Sequence, residues 1–223
     1  MGWFDGDGQQ GPGKHVAEKA KEAGHEAAEK LGHLGHWLGQ KAHDLANSEQ
    51  VSLAGHATRD ALSKLSHSQV VSRLDLSHNP LLGDRDLNVV SGLRTLTHLD
   101  LGFNTKLTDA GLGALQGNGN LKHLNLENTL ITGATFALLP HVALASLILR
   151  NDKNLNIGAL SHLGNLHSLE RLDLSQNRQI TDAALPHLKK LTQVKDLDLR
   201  GTGMSDHALA ELKKALPHAQ IRH

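Results

Sequence analysis

Histidine is the first residue type in this sequence whose abundance and spacing could carry chemistry, with 17 histidines among 223 residues. His33 and His36 stand three residues apart, which on a helix suits two ligands of a zinc ion, and His25 and His43 share the helical face of His36. A tetrahedral site needs further ligands held by a second shell, and the sequence fixes none. We therefore predict solvated histidines, no metal site and no cofactor.

Carboxylates are the second candidate for chemistry, because Asp75 and Asp100, and likewise Asp173 and Asp198, stand 25 residues apart. Paired acids act as acid and base where burial separates their pKa values, and an open surface does not do this. The chain also lacks cysteine, a phosphate-binding glycine-rich loop, GxSxG and HExxH. We predict that the protein is not an enzyme.

Net charge and aromatic content argue against a nucleic-acid partner. The 23 basic and 23 acidic residues balance, and two Trp and three Phe are the only aromatic residues besides histidine. Nucleic-acid binders neutralise phosphates with excess basic residues or stack bases on aromatic rings. The first 15 residues lack the apolar segment of a signal peptide, and no stretch approaches the ~18 apolar residues of a membrane span. We expect a cytoplasmic protein.

An internal repeat with a period near 25 residues would position these side chains. The motif LxxLxLxxN/T occurs at 71–79, 96–104, 121–129, 144–152, 169–177 and 194–202, and a partial seventh unit lies at 219–223. Its central leucine recurs in steps of 25, 25, 23, 25 and 25 residues. The LxL core of each unit predicts a short parallel strand whose leucines face inward.

The segments that return from one strand to the next carry a helical pattern. It is clearest in LTDAGLGAL (107–115), ITDAALPHL (180–188) and MSDHALAEL (204–212), and weaker in LNIGALSHL (155–163). In the three clear segments the second residue is Thr or Ser, which is the predicted N-cap, and the next is Asp in the first turn of the helix. Because strands pack side by side more closely than helices do, the stack should curve with its strands on the concave side.

These motifs resemble the leucine-rich repeat family, in particular short bacterial or intracellular members of its ribonuclease-inhibitor-like and cysteine-containing-like subclasses. The resemblance covers residues 68–223 and implies an α/β solenoid with concave parallel strands and convex helices. It also implies a ladder of asparagines that bond backbone groups after each strand. The matching residues are Asn79, Asn104 and Asn177, with Thr129 and Thr202 as usual substitutes. Asp152 departs from this pattern, which marks the fourth unit as irregular.

The third, fifth and seventh positions of each unit should face the concave surface, because side chains alternate along a strand. Basic and acidic residues there predict a solvated ladder of weak ion pairs. In the middle of the arc, Ile148 replaces the fifth-position carboxylate, which favours a partner contact, although a neighbouring loop could cover it instead. The candidate partner-binding residues are Phe103, His98, His123, Glu127, Ile148, Arg150 and Arg171.

The residues before the repeats show different patterns. We predict a flexible leader at 1–13, an amphipathic helix at 14–48 with an 11-residue apolar period, and a helical cap at 49–67. The apolar face of the 14–48 helix includes Leu31, Leu34, Trp37, Leu38 and Leu45. This stripe weakly resembles lipid-binding helices of apolipoproteins, which implies a membrane surface as one occupant. Docking on the solenoid or on a second helix is the other.

Taken together, the sequence predicts a non-enzymatic protein-protein interaction module with a protein partner on its concave face. In this interpretation the 14–48 helix serves docking or self-association. The alternative is a peripheral membrane adaptor, in which that helix lies on lipid and the repeats are displayed. In the alternative, the cytoplasmic protein would be peripheral to a membrane.

Overall fold

Eight short parallel strands form one sheet in the computed structural model, which describes residues 48–66 and 68–223. The strands are β1 (Gln50–Ser52), β2 (Arg73–Asp75), β3 (His98–Asp100), β4 (His123–Asn125), β5 (Ser146–Ile148), β6 (Arg171–Asp173), β7 (Asp196–Asp198) and β8 (Gln220–Arg222). Their order in the sheet is their order in the chain. The predicted α/β solenoid is confirmed, and the partial seventh unit supplies its last strand.

Several predictions concern the first 47 residues, which lie outside the described residues. They are the leader at 1–13 and nearly all of the helix at 14–48. The helix face of Leu31, Leu34, Trp37, Leu38 and Leu45 falls in the same part of the chain, as do the four histidines with zinc-like spacing. These remain predictions.

The register of the sheet keeps equivalent positions of the repeat opposite one another. Leu124 in β4, for example, pairs with Leu99 on one side and Leu147 on the other. The two inward leucines of this unit, Leu124 and Leu126, are 2% and 0% exposed. Because each strand has only three residues, the core is a stack of apolar layers that each contact only the adjacent repeats.

The returning segments are helical where predicted, but mostly not α-helical. The 3₁₀ helices span Asp84–Gly92, Asp109–Gly117, Phe136–His141, Ile157–Asn165 and Asp182–Ala184, and the α-helices are α1 (Arg59–Leu65), α2 (Leu185–Leu188) and α3 (Asp206–Ala215). In the return at 107–115, Gly111 and Gly113 lower the α-helical propensity. Gly111 also packs closely, because a Cβ there would lie 2.7 Å from Leu107 Cδ1.

The prediction of a helical cap over 49–67 is wrong for its first residues. Gln50–Ser52 forms β1 and pairs in parallel with β2, so the described array begins one strand earlier than predicted. Helix α1 follows after its N-cap Thr58, whose side chain accepts the N–H of Ala61. Val51 and Leu53 supply the inward pair of a degenerate repeat. Leu53 also stands at helical spacing from Ala57 and Ala61, which favoured a helix over the whole segment.

Asparagines bond the backbone after the strands, as the resemblance implies. Asn79 donates through Nδ2 to the carbonyl oxygens of Leu53 and Leu76, at 3.1 and 2.8 Å. Its backbone N–H donates to Oδ1 of Asn104, one repeat further along, at 2.8 Å. Each amide therefore satisfies its own loop and connects it to the next repeat, so that buried polar groups hold the layers in register.

Aspartates of the returns add a second connection between repeats that the sequence did not predict. Asp84 accepts from Thr108 N and Oγ1, Asp109 accepts from Thr132 N and Oγ1, and Asp182 accepts from Ser205 N and Oγ. For Asp109 and Asp182 the sequence predicted only a place in the first turn, where they favour the helix dipole. Thr181 makes no side-chain N-cap bond, contrary to prediction. The return before it carries Ile157 at the position where Asp84 and Asp109 stand in earlier returns.

Candidate functional site

One face of the sheet carries the third and fifth positions of every unit, and we name it the open face. The third-position row runs Gln50, Arg73, His98, His123, Ser146, Arg171, Asp196 and Gln220. The fifth-position row runs Ser52, Asp75, Asp100, Asn125, Ile148, Asp173, Asp198 and Arg222. The side-chain period of two places both rows on the same side, as predicted.

Aspartates of the fifth-position row are occupied within their own loops. Asp75 Oδ1 accepts from Ser77 N at 3.0 Å and from Ser77 Oγ at 2.7 Å. The same bond to the N–H two residues later is made by Asp100, Asn125, Asp173 and Asp198. Burial raises the pKa of Asp75, but bonds from Ser77 and Ser52 outweigh it and hold that pKa below its usual value. The row therefore stabilises turns.

The seventh position meets the prediction only in part: Arg200 is exposed there and contacts Asp198 of the open face, whereas other units differ. Ser77 and Ser175 are buried at this position, because the strand has ended and the chain is already turning. Glu127 and Arg150 occupy it in the middle of the array and form a salt bridge, with Nε 3.5 Å from Oε1. Burial raises the pKa of Glu127, although Arg150 opposes the shift. These two residues lie at the rim of the open face.

Two histidines of the third-position row stack on each other beside an arginine. The rings of His98 and His123 have their centroids 4.1 Å apart and are inclined by 18°. Arg73 Nη2 lies 3.2 Å from His98 Nε2. Burial lowers the pKa of His98, and the positive charges of His123, Arg73 and Lys122 lower it further.

A groove of about 540 Å³ lies along the open face from β1 to β6. Its lining includes Arg73, His98, His123, Ser146, Ile148 and Arg171. Ile148 is half-buried and stands between Asn125 and Asp173, where it makes none of the turn bonds of its polar neighbours. It is the one apolar side chain of the fifth-position row in the described strands. An apolar contact in a polar groove is therefore available at this point.

Comparison with known proteins agrees with this geometry. A family model described as leucine-rich repeat matches residues 92–115 and 165–185, each of which contains one strand and the beginning of the return that follows it. A crystal structure of an internalin from Listeria monocytogenes matches with a TM-score of 0.60 and 24% identity, over 81% of this chain. The described residues form a leucine-rich repeat solenoid. The chain spans about half of that internalin, 48% of its length, and no curated protein matches the sequence.

The solenoid brings four of the seven candidate partner-binding residues together in the groove: His98, His123, Ile148 and Arg171. The other three lie towards the rim, at the ends of the strands. They are Glu127 and Arg150 in their salt bridge, and Phe103 in the loop after β3. A role in binding remains a prediction for all seven.

Phe103 occupies a strained position of the repeat. The residue at position eight of each unit has positive φ, from 55° to 72°: Gly55, His78, Phe103, Asn128, Asn151, Gln176 and Gly201. Phe103 has φ 62°, which a bulky side chain rarely adopts. Its N–H donates to the Glu127 carbonyl, and its ring stacks on His78 with centroids 4.4 Å apart. The strain is thus supported by the next repeat and by the ring of the preceding one.

Sequence reasoning missed the first part of this face. Gln50 and Ser52 line the groove because β1 is a strand rather than a helix. The available signal was the spacing of Val51 and Leu53, 23 residues before Leu74 and Leu76, which equals the shortest step of the array. Among residues 48–66 and 68–223, no three His, Cys, Asp or Glu side chains form a metal-binding group. No helix within these ranges is long and apolar enough to span a membrane.

Proposed function

We propose that this protein is a non-enzymatic protein-protein interaction module whose partner contacts the open face between β2 and β6. The observation that carries the proposal is Ile148, a half-buried apolar side chain where the neighbouring strands carry polar residues. Interfaces are organised as an apolar centre with a polar rim. The groove has this arrangement, with Arg171 and His123 beside the isoleucine.

The composition of this face favours a contact of modest affinity. Tyrosine and tryptophan, which dominate strong contacts in interfaces, are absent from the described strands. The aspartates of the fifth-position row are engaged by backbone N–H groups, so they contribute little to binding. The leucine-rich repeat fold supports the proposal, because a rigid stack of strands displays side chains at fixed intervals of about 4.8 Å.

Replacing Ile148 by aspartate should weaken partner binding by about ten-fold or more, because it puts a charge into the apolar centre. Folding should change little. An aspartate there can accept the N–H of Arg150, as Asp173 accepts the N–H of Ser175 at 2.8 Å. The measurement is quantitative capture from a lysate of cells that express the protein, followed by titration of the purified partner against I148D.

Gly113→Asp supplies a matched control for this experiment. Gly113 is exposed in the Asp109–Gly117 return, and a Cβ there meets nothing within 4 Å. The control adds the same charge away from the open face and should bind as the unmodified protein does. Equal affinity of I148D and the unmodified protein would contradict the proposal and assign the interface to another part of the chain.

For the residues at 14–48 the proposal rests on sequence alone, namely on the 11-residue period of their apolar stripe. We propose that this stripe docks on the solenoid or on a second copy, and the alternative occupant is a membrane surface. An isolated helix is marginally stable in water, so a helix with this stripe of Leu and Ala would be stabilised mainly by the surface against which the stripe packs. The protein would then combine a partner-binding face with a second contact.

The double variant Leu34→Glu/Leu38→Glu should separate these occupants, because it places two carboxylates in the stripe. Loss of self-association in sedimentation would identify a second copy, and loss of co-sedimentation with anionic vesicles would identify a membrane. A lower melting temperature with unchanged oligomeric state would identify docking on the solenoid. If none of these quantities changes, the stripe has no such role. His25→Glu/His36→Glu, which adds the same two carboxylates on a different face of the predicted helix, is the control.

A further inference from the structure

Cationic side chains gather on one part of the open face. Arg73, His98, His123 and Arg171 belong to the third-position row, and Lys122 precedes His123. We name these five residues the cationic cluster. Lys122 contributes to the lowered pKa of both histidines, and Arg171 contributes to that of His123 after burial and Arg73. The positive charges of Arg73, Lys122 and Arg171 therefore all act on this pair of histidines.

Few of these cations form salt bridges. At the other end of the open face Arg222 contacts Asp196 at 3.0 Å and Asp198 at 3.1 Å, and Arg200 contacts Asp198 at 2.6 Å. Within the described ranges neither Arg73 nor Lys122 forms a salt bridge, and Arg171 reaches only Asp196, at 3.2 Å. Asp75, Asp100 and Asp173 of the fifth-position row lie on the same strands as the cluster, but within the described ranges none of them forms a salt bridge with it. Arg73 and Lys122 are therefore left without a direct carboxylate partner in this part of the chain.

The hydrogen bonds of His98 indicate which of its ring nitrogens carries the proton in the free protein. The Thr97 hydroxyl donates to the Ser72 carbonyl at 2.9 Å, so it accepts from His98 Nδ1 at 2.9 Å. The proton of the neutral ring therefore lies on Nδ1, and the lone pair of Nε2 faces the Arg73 guanidinium at 3.2 Å. A second proton on Nε2 would face that cation, so His98 takes it up readily only when an anion joins the pair.

We propose that the cationic cluster binds a short, extended acidic segment of the protein partner, whose Glu or Asp carboxylates cross β2 to β6. The inference rests on the proposed function and names the chemistry of the partner. Adjacent strands lie about 4.8 Å apart, so Arg73 and Arg171 are separated by about 19 Å. An extended peptide advances about 3.3 Å per residue, and six residues span this distance.

The surrounding charges set the side of the row on which such a segment lies. The carboxylates nearest the histidines are Asp75 and Asp100 of the fifth-position row, whose Oδ1 atoms accept backbone N–H groups of their own loops. Lys122 lies on the opposite side, at position two of its unit, where the carboxylates of the array are already bonded, Glu49 by Ser72 and Glu170 by Lys195. An acidic segment is therefore attracted to the side of Lys122 and away from the aspartates.

Binding should be coupled to proton uptake. The groups that face the two rings are Arg73 and Asp75 from β2, Asp100 on β3 itself, Lys122 before β4, and Arg171 from β6, while β5 offers the uncharged Ser146. Burial and the cations among these groups hold the pKa of both histidines below the usual value of 6.5, so the neutral form of each ring predominates in the free protein at pH 7. A bound carboxylate raises the pKa of a histidine beside it, and affinity therefore increases as the pH falls.

The test uses the full chain and a fluorescein-labelled hexaglutamate peptide, with hexaglutamine as the uncharged counterpart, in anisotropy titrations at low salt. Hexaglutamate should bind about ten-fold more tightly at pH 6 than at pH 8, the factor for one pKa unit. Arg73→Gln/Arg171→Gln should weaken binding about ten-fold at both pH values. His98→Gln/His123→Gln should keep the affinity at pH 8 and lose the gain at pH 6. Arg94→Gln/Lys213→Gln removes two exposed charges elsewhere and should change nothing.

Several results would overturn the inference. They are equal binding of hexaglutamine, no difference between the cluster variants and the control variant, no gain between pH 8 and pH 6, or tighter binding of a six-nucleotide oligothymidine. Failure here is separable from failure of the proposed function. If the captured partner depends on Ile148 while hexaglutamate does not bind, the interaction module stands and the acidic segment does not.

Discussion

Replacing Leu124 by alanine is expected to lower the free energy of unfolding by about 2–5 kcal/mol, through lost burial and the cavity left behind. Leu124 is 2% exposed and lies in β4 between Leu99 and Leu147. In a stack where each layer contacts only its neighbours, no distant element can close the cavity. Urea unfolding followed by far-ultraviolet circular dichroism gives the midpoint and the slope from which this change is calculated.

Leu81→Ala is the matched control, because the same atoms are removed from a side chain that is 79% exposed. The control should change stability by less than about 0.5 kcal/mol, as surface substitutions usually do. A change as small as this for Leu124→Ala would mean that Leu124 does not face the core and that the register of the strands is incorrect.

Period-two alternation explains why the open face could be predicted from the sequence. Once the LxL motifs are aligned, the side of the sheet on which His98 or Ile148 lies follows from position alone. The alternation is kept in only some units where the strand ends. Ser175 at position seven is buried because the chain turns after three strand residues, and a motif does not show how long its strand is.

The returns could be located but not fully described, for a different reason. An α-helix and a 3₁₀ helix both bring residues three apart onto one face, so the spacing of Leu112 and Leu115 fits either. The contact of Asp109 with Thr132 joins residues 23 apart. It depends on the separation of neighbouring returns, which follows from packing rather than from local sequence.

Asp152 shows what a departure from the repeat pattern does to the structure. It is fully buried at the position where Asn104 and Asn177 stand in other units. Its Oδ1 accepts from Thr129 N at 2.8 Å and from Thr129 Oγ1 at 3.1 Å, and within the described chain Oδ2 has no hydrogen-bond partner. In Asn177 the equivalent Nδ2 donates to two carbonyl oxygens, those of Leu149 and Leu174. A neutral carboxyl group resembles the amide, whereas a carboxylate does not.

Burial raises the pKa of Asp152 from 3.8 to about 7, against the bonds from Thr129 that lower it. Because the folded pKa lies above the unfolded one, the folded state holds the proton more tightly. The stability that Asp152 contributes is complete below about pH 4 and is lost as the pH rises to about 7, above which it stays low. A shift of this size corresponds to at most about 4 kcal/mol.

Asp152→Asn should therefore raise the free energy of unfolding at pH 8 by about 1–4 kcal/mol, because the amide regains two donors and cannot ionise. The gain should shrink as the pH falls towards 4, and urea titrations of both proteins from pH 4 to pH 8 measure it. Asp109→Asn is the control of opposite sign. Burial raises the pKa of Asp109, but its bonds to Thr132, Thr135 and Gly133 lower it overall, so this variant should be destabilised at neutral pH. A gain for Asp152→Asn that is independent of pH, or a loss at pH 8, would show that Asp152 is not protonated in the folded solenoid.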